Sequence, residues 1–188
     1  MAPSSTPTEI LRDEHNLILK VANHLAGMLA AEKDGVPLDY DTVEKCITFF
    51  RLFADACHHS KEEDLLFPAL EHEGMPVDGG PIAVMLYEHG IGREFISRMA
   101  EALPGSGDDA AGAAEVTEAG RGYIELIRAH IAKEDGILFE MADGMVVGPA
   151  CKDLCSAYDE VCARRFEGKT LQDLEELAES LRGRYHSV

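Results

Sequence analysis

The sequence contains no tryptophan, and aromatic residues make up only 6% of its 188 positions. Basic residues are also scarce, with 17 Lys and Arg against 35 Asp and Glu, for a formal net charge of −18 at pH 7. Nucleic acids and anionic membrane surfaces are bound through basic patches, so neither is expected as a partner. The lack of tryptophan removes a side chain that often anchors recognition surfaces.

Long apolar runs are lacking as well. No stretch of about 18 consecutive apolar residues occurs, so no transmembrane helix is predicted. The first residues, MAPSSTPTEIL, have neither a basic start nor an apolar core, and they do not resemble a signal peptide. The five cysteines are an odd number at irregular spacing, which indicates reduced thiols rather than a disulfide framework. We therefore expect a cytoplasmic protein.

No segment alternates polar and apolar residues for long enough to predict a β-sheet. Apolar residues instead recur every three or four positions, which is typical of amphipathic helices. Four such helices are predicted over about 7–33, 42–68, 82–103 and 114–142, and Pro68 is expected to end or kink the second. Thr6 with Glu9 and Asp41 with Glu44 have the spacing of helix-start capping pairs.

These helices predict an all-α fold, an antiparallel up-down-up-down four-helix bundle with a C-terminal helical extension. Residues 1–7 are predicted to be a disordered lead and residues 8–144 to form the bundle. Residues 104–112 are rich in Gly, Ala and Asp, which is typical of a linker. Residues 145–188 are predicted to pack on the bundle, with helices over about 149–166 and 171–181.

One motif occurs twice. Cys57–Pro68 reads CHHSKEEDLLFP, and 72 residues later Ala129–Glu140 reads AHIAKEDGILFE. Each copy holds His-x-x-x-Glu, which places an imidazole and a carboxylate one turn apart on the same helix face. A single such pair is commonly a surface ion pair. Two copies in similar apolar surroundings favour a metal site between helices.

Helix phase selects the inward residues. His58 and Glu62 lie on the apolar face of the second predicted helix, whereas His59 and Glu63 lie about 100° further round. The alignment of the two copies also favours His58 and Glu62, because they match His130 and Glu134. His59, Glu63 and Asp135 remain alternative ligands. By the same phase argument His24 is expected to be exposed.

Each of the four predicted helices carries one histidine on its apolar face. A lone histidine there is more often a hydrogen-bonded core residue than a ligand. Four of them, together with two carboxylates, are better explained by metal coordination, because a buried carboxylate without a partner is costly. Nitrogen and oxygen donors without thiolates suit iron, manganese or zinc. The candidate ligands are His15, His58, Glu62, His89, His130 and Glu134.

The sequence resembles the hemerythrin family in its HHE cation-binding form. The matching segments are RDEHN at His15, HHSKEEDLLFP at His58 and Glu62, YEHGIGR at His89, and HIAKEDGILF at His130 and Glu134. The resemblance implies a four-helix bundle around two non-haem iron ions bridged by oxide or hydroxide, with manganese or zinc as substitutes. It also implies binding or sensing of O2, NO or peroxide. The alternatives are a di-iron oxidoreductase or nitric oxide reductase, and an iron sensor or donor for iron–sulfur repair.

The sequence departs from the oxygen-carrying hemerythrins at the third helix. These carriers have a second histidine four residues from the first, but here the positions four away from His89 are Met85 and Arg93. We therefore expect the two metals to have similar, open coordination, which disfavours simple oxygen transport. We expect a monomer or a homodimer.

Two further groups of residues have more than one interpretation. Cys151, Cys155 and Cys162 are read as buried small hydrophobic residues, with a redox or metal-delivery role as the alternative. Glu88, Arg93 and Tyr123 are candidates for orienting ligands or meeting a bound anion. The alternative for these three is an exposed helix residue or a core tyrosine.

Overall fold

A computed structural model describes residues 6–103, 110–164 and 166–181. Within these ranges the chain is helical, apart from turns and one isolated bridge between Phe166 and Lys169, which confirms the all-α prediction. No helix in these ranges is both long enough and apolar enough to cross a membrane. The helices are α1 (Pro7–Lys33), α2 (Tyr40–Phe49), α3 (Phe67–His72), α4 (Pro81–Glu101), α5 (Ala110–Lys133), α6 (Phe139–Met145), α7 (Pro149–Cys162) and α8 (Leu171–Ser180).

The predicted start of α1 is confirmed. The Glu9 amide donates to Thr6 Oγ1 at 3.2 Å, and the Thr6 amide donates to Glu9 Oε2 at 2.7 Å. The predicted cap of the second helix is wrong, because Asp39 and not Asp41 accepts hydrogen bonds, from the Thr42 amide at 3.2 Å and the Thr42 hydroxyl at 2.8 Å. Most of the predicted lead and linker, residues 1–5 and 104–109, lies outside the described residues.

Three π-helical segments, Phe50–His59, Glu62–Leu66 and Glu134–Leu138, interrupt the long helices. A π-helix holds an extra residue in each turn, so the inward face of the following α-helix moves by one position. Regular helix phase predicts Ile137 and Met141 inside, but they are 54% and 42% exposed, while Leu138 and Ala142 are buried. The predicted apolar face is therefore wrong beyond this segment.

Two of the π-helical segments occupy equivalent positions in the sequence repeat, since Glu62–Leu66 and Glu134–Leu138 are 72 residues apart. Pro68 follows the first segment and lies in the first turn of α3, so the chain remains helical beyond the residue that is predicted to end or kink the helix. The second copy has Glu140 at that position and has the same π-helical segment. The segment therefore does not depend on the proline.

The buried apolar residues form two clusters. One contains Leu25, Phe50 and Ile127 among others, and the second contains Leu11, Leu66 and Phe139. Along α1, His15 lies between Leu11 of one cluster and Ile18 of the other. The buried polar residues of the sequence motifs therefore form a layer between two apolar regions.

The C-terminal helices pack on the rest of the chain. α7 contacts α1 and the segment Glu62–Leu66, and α8 contacts α1 and α2. His24 is only 7% exposed, so the prediction of an exposed His24 is wrong. It lines a small cavity with Ser180 and Leu181 at the end of α8, an element that the phase of α1 alone does not reveal.

Candidate metal centre

The six candidate ligands are buried in one layer. Their exposed fractions are at most 2%, and those of Glu62 and Glu134 are zero. Each histidine comes from a different helix or π-helical segment, and both carboxylates begin a π-helical segment, where such irregularities are frequent at functional sites. The histidines are His15, His58, His89 and His130.

The donor atoms form two groups that share a carboxylate. In each group the donor atoms all lie within 4.8 Å of one another. We call these groups site A and site B. Site A consists of His15, His58, Glu62 and Glu134, and site B of His59, Glu62, His89 and His130.

His59 belongs to site B, so the helix-phase prediction that it points away from the centre is wrong. Its side chain is 6% exposed and its ring stacks on His89 with centroids 3.8 Å apart. The reason is the π-helical segment Phe50–His59, whose wider turn brings two consecutive histidines inside. The equivalent position in the second copy is Ile131. Site B therefore has three histidines and site A has two, in place of the similar sets that the sequence predicts.

Both carboxylates lie between the two sites. Glu62 Oε1 is 3.6 Å from His58 Nε2 in site A, and Oε2 is 3.4 Å from His89 Nε2 in site B. Glu134 Oε2 is 3.1 Å from His15 Nε2, and Oε1 is 3.2 Å from His130 Nε2. Each carboxylate thus presents one oxygen to each site, which is the arrangement of a bridging ligand.

These short contacts are not hydrogen bonds. All four carboxylate oxygens, with His15 Nε2 and His59 Nε2, are buried without a hydrogen-bond partner. His89 Nε2 and His130 Nε2 face each other at 3.1 Å. Buried polar atoms without partners are rare because they are costly. Cations between them would satisfy these donor atoms, so the residues fit a pair of metal ions.

The other ring nitrogen of each of the five site histidines is held by a carboxylate. A hydrogen on Nδ1 that is donated to an acid leaves the Nε2 lone pair directed at the centre, as in metal sites generally. Two of the alternative ligands, Glu63 and Asp135, are such acceptors and belong to neither site. The Nδ1–oxygen pairs are His15–Asp135 at 2.9 Å, His58–Glu14 at 2.9 Å, His59–Asp55 at 3.3 Å, His89–Glu63 at 2.7 Å and His130–Glu88 at 3.0 Å.

These outer carboxylates also have basic partners. Lys61 binds Glu14, Lys133 binds Glu88, Arg93 binds both Asp55 and Glu63, and Arg12 lies 3.9 Å from Asp135. Among the described residues, no lysine or arginine pairs with Glu62 or Glu134. The two buried charges that the protein leaves unbalanced are therefore those between the sites.

The protonation of the metal-free centre reflects this imbalance. Burial together with the neighbouring Glu134 raises the pKa of Glu62 well above its usual range. Burial disfavours a charged His15, but the hydrogen bond to Asp135 and the neighbouring Glu134 raise its pKa to about 9. Burial lowers the pKa of His58 to about 4. Protons thus take the place of cations beside the carboxylates.

A cavity of about 470 Å³ reaches site B. His59, His89 and His130 line it together with apolar side chains, including Phe50 and Leu126. The three residues considered for orienting ligands or meeting an anion, Glu88, Arg93 and Tyr123, also lie on its wall. Tyr123 is buried, Arg93 is paired with acids, and Glu88 is paired with His130 and Lys133. No residue that belongs to site A alone lines this cavity.

Sequence reasoning missed Glu14, Asp55 and the role of Lys61. A usable signal was present, because both His15 and His89 follow a glutamate, although the same dipeptide also occurs at 71–72. In both copies the glutamate binds the histidine and the lysine of the next motif, and Phe139 and Phe67, equivalent in the repeat, stack on His15 and His89. The repeat therefore extends to the surroundings of the ligands, and His59 departs from it.

The comparisons with known proteins agree with this geometry. Residues 6–142 match the family model described as the hemerythrin HHE cation binding domain. Searches of curated proteins and of solved structures found no match. The match covers well over half of the chain and includes every residue of both sites, so the chain belongs to the hemerythrin HHE cation-binding domain family.

Proposed function

We propose that this protein holds two iron ions and binds or senses O2, NO or a peroxide. The observation that carries the proposal is the pair of buried carboxylates, each with one oxygen beside each site and no lysine or arginine partner among the described residues. The proposed ligands are five histidines and two glutamates: His15, His58, His59, His89, His130, Glu62 and Glu134.

The proposed scaffold is an antiparallel up-down-up-down bundle. Its four members would be α1, the stretch from α2 to α3, α4, and the stretch from α5 to α6. The packing of α5 against both α1 and α4, and of α1 against α2, supports this arrangement. A bundle of this kind directs side chains from facing helices into one buried metal layer.

Imidazole and carboxylate donors suit iron, manganese and zinc, and the family favours iron among them. When bound, an iron pair would supply open coordination positions and the capacity to exchange electrons with a ligand. The chain's own residues do the rest. The five outer carboxylates fix the imidazole rings, and the apolar wall of the cavity limits the entry of water to site B.

A di-iron oxidoreductase acting on an organic molecule is the second candidate. The cavity supports it, because a volume of about 470 Å³ lies in the range of pockets that hold organic ligands and exceeds what a diatomic ligand needs. Its wall is mostly apolar, and Arg93 is already paired with Asp55 and Glu63. A substrate for this site would therefore be apolar. Steady-state turnover of such a substrate would distinguish an enzyme from a binder.

Metal analysis and an optical spectrum of anaerobically purified protein, before and after exposure to O2 or NO, test the proposal. We expect about two iron atoms per chain, as in di-iron bundle proteins. We also expect a spectral change on ligand addition. The Glu62→Ala and Glu134→Ala double variant is the matched control and should retain neither iron. One iron or none in wild-type protein after reconstitution would contradict the proposal.

A further inference from the structure

Helix α7 brings one thiol beside another that is buried next to the metal layer. Cys57 is completely buried in the segment Phe50–His59, and Cys162 is the last residue of α7 and half-buried. The two sulfur atoms and a Glu14 oxygen all lie within 4.8 Å of one another. Residues far apart in the sequence thus form a pair of free thiols.

This cluster does not suit a third metal ion. The Lys61 ammonium is completely buried, binds Glu14 and lies 5.9 Å from the centre of the Tyr158 ring. A fixed positive charge already balances the carboxylate, so a metal ion would be repelled. The chemistry that remains to two neighbouring thiols is oxidation to a disulfide.

We propose that Cys57 and Cys162 are an oxidisable pair that a peroxide converts to a disulfide, linking α7 to the segment that carries His58. The sulfur atoms must approach to about 2.05 Å. Cys162 ends its helix, so no further helical turn opposes this movement. The proposal goes beyond the metal centre and does not require iron.

The reaction has two steps. Cys162 Sγ attacks one peroxide oxygen, the O–O bond breaks, and the other oxygen leaves and is protonated to water. Cys162 becomes a sulfenic acid and the peroxide is reduced. Cys57 Sγ then attacks the Cys162 sulfur, the S–S bond forms and the S–O bond breaks, and the departing hydroxide takes the Cys57 proton. Overall, two thiols and one peroxide give one disulfide and two waters.

The surroundings of the two thiols indicate that Cys162, and not Cys57, attacks the peroxide. Its side chain is partly exposed, whereas Cys57 has no exposed surface. A hydrogen bond from Cys57, together with the nearby Lys61 and against the effect of burial, lowers the pKa of Cys162 to about 6. The thiolate that attacks is therefore the one that a peroxide can reach.

The pair is also connected to site A. Cys57 precedes His58 in the chain, and Glu14 binds both Lys61 and His58 Nδ1. A disulfide would fix the position of Cys57 and with it the start of this ligand segment. The second copy of the motif differs at the positions equivalent to Lys61 and Cys57. Its lysine, Lys133, has a side chain that is 36% exposed, and Ala129 stands where the first copy has Cys57.

Peptide mapping by mass spectrometry tests the proposal. Reduced full-length protein is treated with one equivalent of H2O2, its remaining thiols are alkylated, and its peptides are analysed. We expect a linked pair of peptides containing Cys57 and Cys162, lighter by two hydrogen atoms than the reduced pair. In Cys57→Ser, a sulfenic acid should accumulate on Cys162 and be trapped by a dione reagent.

The Cys151→Ser, Cys155→Ser double variant is the matched control, since both thiols lie on α7, and it should still form the link. The same treatment of zinc-loaded protein separates thiol chemistry from iron chemistry, because zinc is redox-inert. A disulfide that forms in iron-loaded but not in zinc-loaded protein would overturn the proposal that peroxide oxidises the thiols without the help of iron. Linkage through Cys151 or Cys155, or no linkage in folded wild-type protein, would overturn the proposed pair.

Discussion

At the scale of single residues, His59 makes the two halves of the centre unequal. The repeat supplies each half with two histidines, one bridging glutamate and the carboxylates that hold the rings. His59 adds a third histidine to site B, and Ile131 stands at the equivalent position of the second copy. An inequality of this kind allows two metals of one element to have different numbers of open positions.

Replacing His59 by alanine tests this role. Regular helix phase predicts that His59→Ala keeps both metals, whereas the observed position predicts the loss of one donor from site B. We expect iron to fall from about two to about one per chain, because site A retains its donors. Elemental analysis measures this. His72→Ala, an exposed histidine nearby in the chain, should keep both, and unchanged iron in His59→Ala would contradict the assignment.

Gly92 tests whether ligands arrive through the cavity. A Cβ atom at this position would lie 3.7 Å from both Leu126 and Tyr123, in ordinary contact, so a larger side chain would narrow the passage without moving the backbone. We expect Gly92→Leu to slow NO association about tenfold, a barrier increase of about 1.4 kcal/mol, with unchanged iron content. Stopped-flow mixing measures the rate. Gly90→Leu is the control because its Cβ would meet nothing within 4 Å, and equal rates would exclude this route.

At the scale of elements, the sequence correctly predicts the starts of α1 and α7 but not which residues face inward after each motif. The Thr6 cap and the start of α7 at Pro149 can be predicted because each depends only on neighbouring residues. The π-helical segments cannot be predicted in this way, because helix-phase arguments assume a rotation of about 100° at every residue. The assumption of regular phase wrongly places His59 outside and Ile137 inside, whereas it places His58 and Glu62 inside, where they are buried and where the repeat also puts them.

Deleting Gly136 from the second π-helical segment tests its importance. Without the extra residue the turn should close as an ordinary α-helix, which moves Leu138 and Phe139 back by one position and keeps them on the inward face. We expect both to stay buried and the free energy of unfolding to fall by less than about 3 kcal/mol, whereas a loss of about 3–5 kcal/mol, as for the loss of a large core side chain, would contradict a single inserted residue. Chemical denaturation measures it. Gly136→Ala should be neutral or slightly stabilising, since an added Cβ meets nothing within 4 Å.

At the scale of the whole molecule, the metal layer lies between two apolar clusters, so its charge affects the stability of the entire fold. The cost of removing the Glu62 and Glu134 carboxylates from water is offset only when cations or protons lie beside them. Sequence patterns predict the layer, since all four histidines are on apolar faces. They do not predict its electrostatic balance, which depends on Lys61, Lys133 and Arg93 reaching acids on other helices.

This balance predicts a dependence of stability on pH that disappears when metal is bound. The pKa of His15 is raised from 6.5 to about 9 in the folded metal-free protein, so its stabilisation is complete below pH 6.5 and is lost as the pH rises through 9. The pKa of His58 is lowered from 6.5 to about 4, so its contribution is present above pH 6.5 and is lost as the pH falls through 4. The raised pKa of Glu62 adds a further loss of stability that begins above pH 4.5, so metal-free protein should be most stable below pH 6.5.

Thermal denaturation of metal-free and zinc-loaded protein between about pH 5 and pH 10 measures the two profiles. We expect the decline above pH 6.5 only in metal-free protein, because a metal-bound His15 has already lost its proton. Asp135→Asn removes the acceptor that helps to raise the pKa of His15, and this variant should show a weaker alkaline decline. Identical profiles with and without zinc would mean that His15 is not a ligand. The proton on its ring would then be a permanent part of the fold rather than a substitute for the cation.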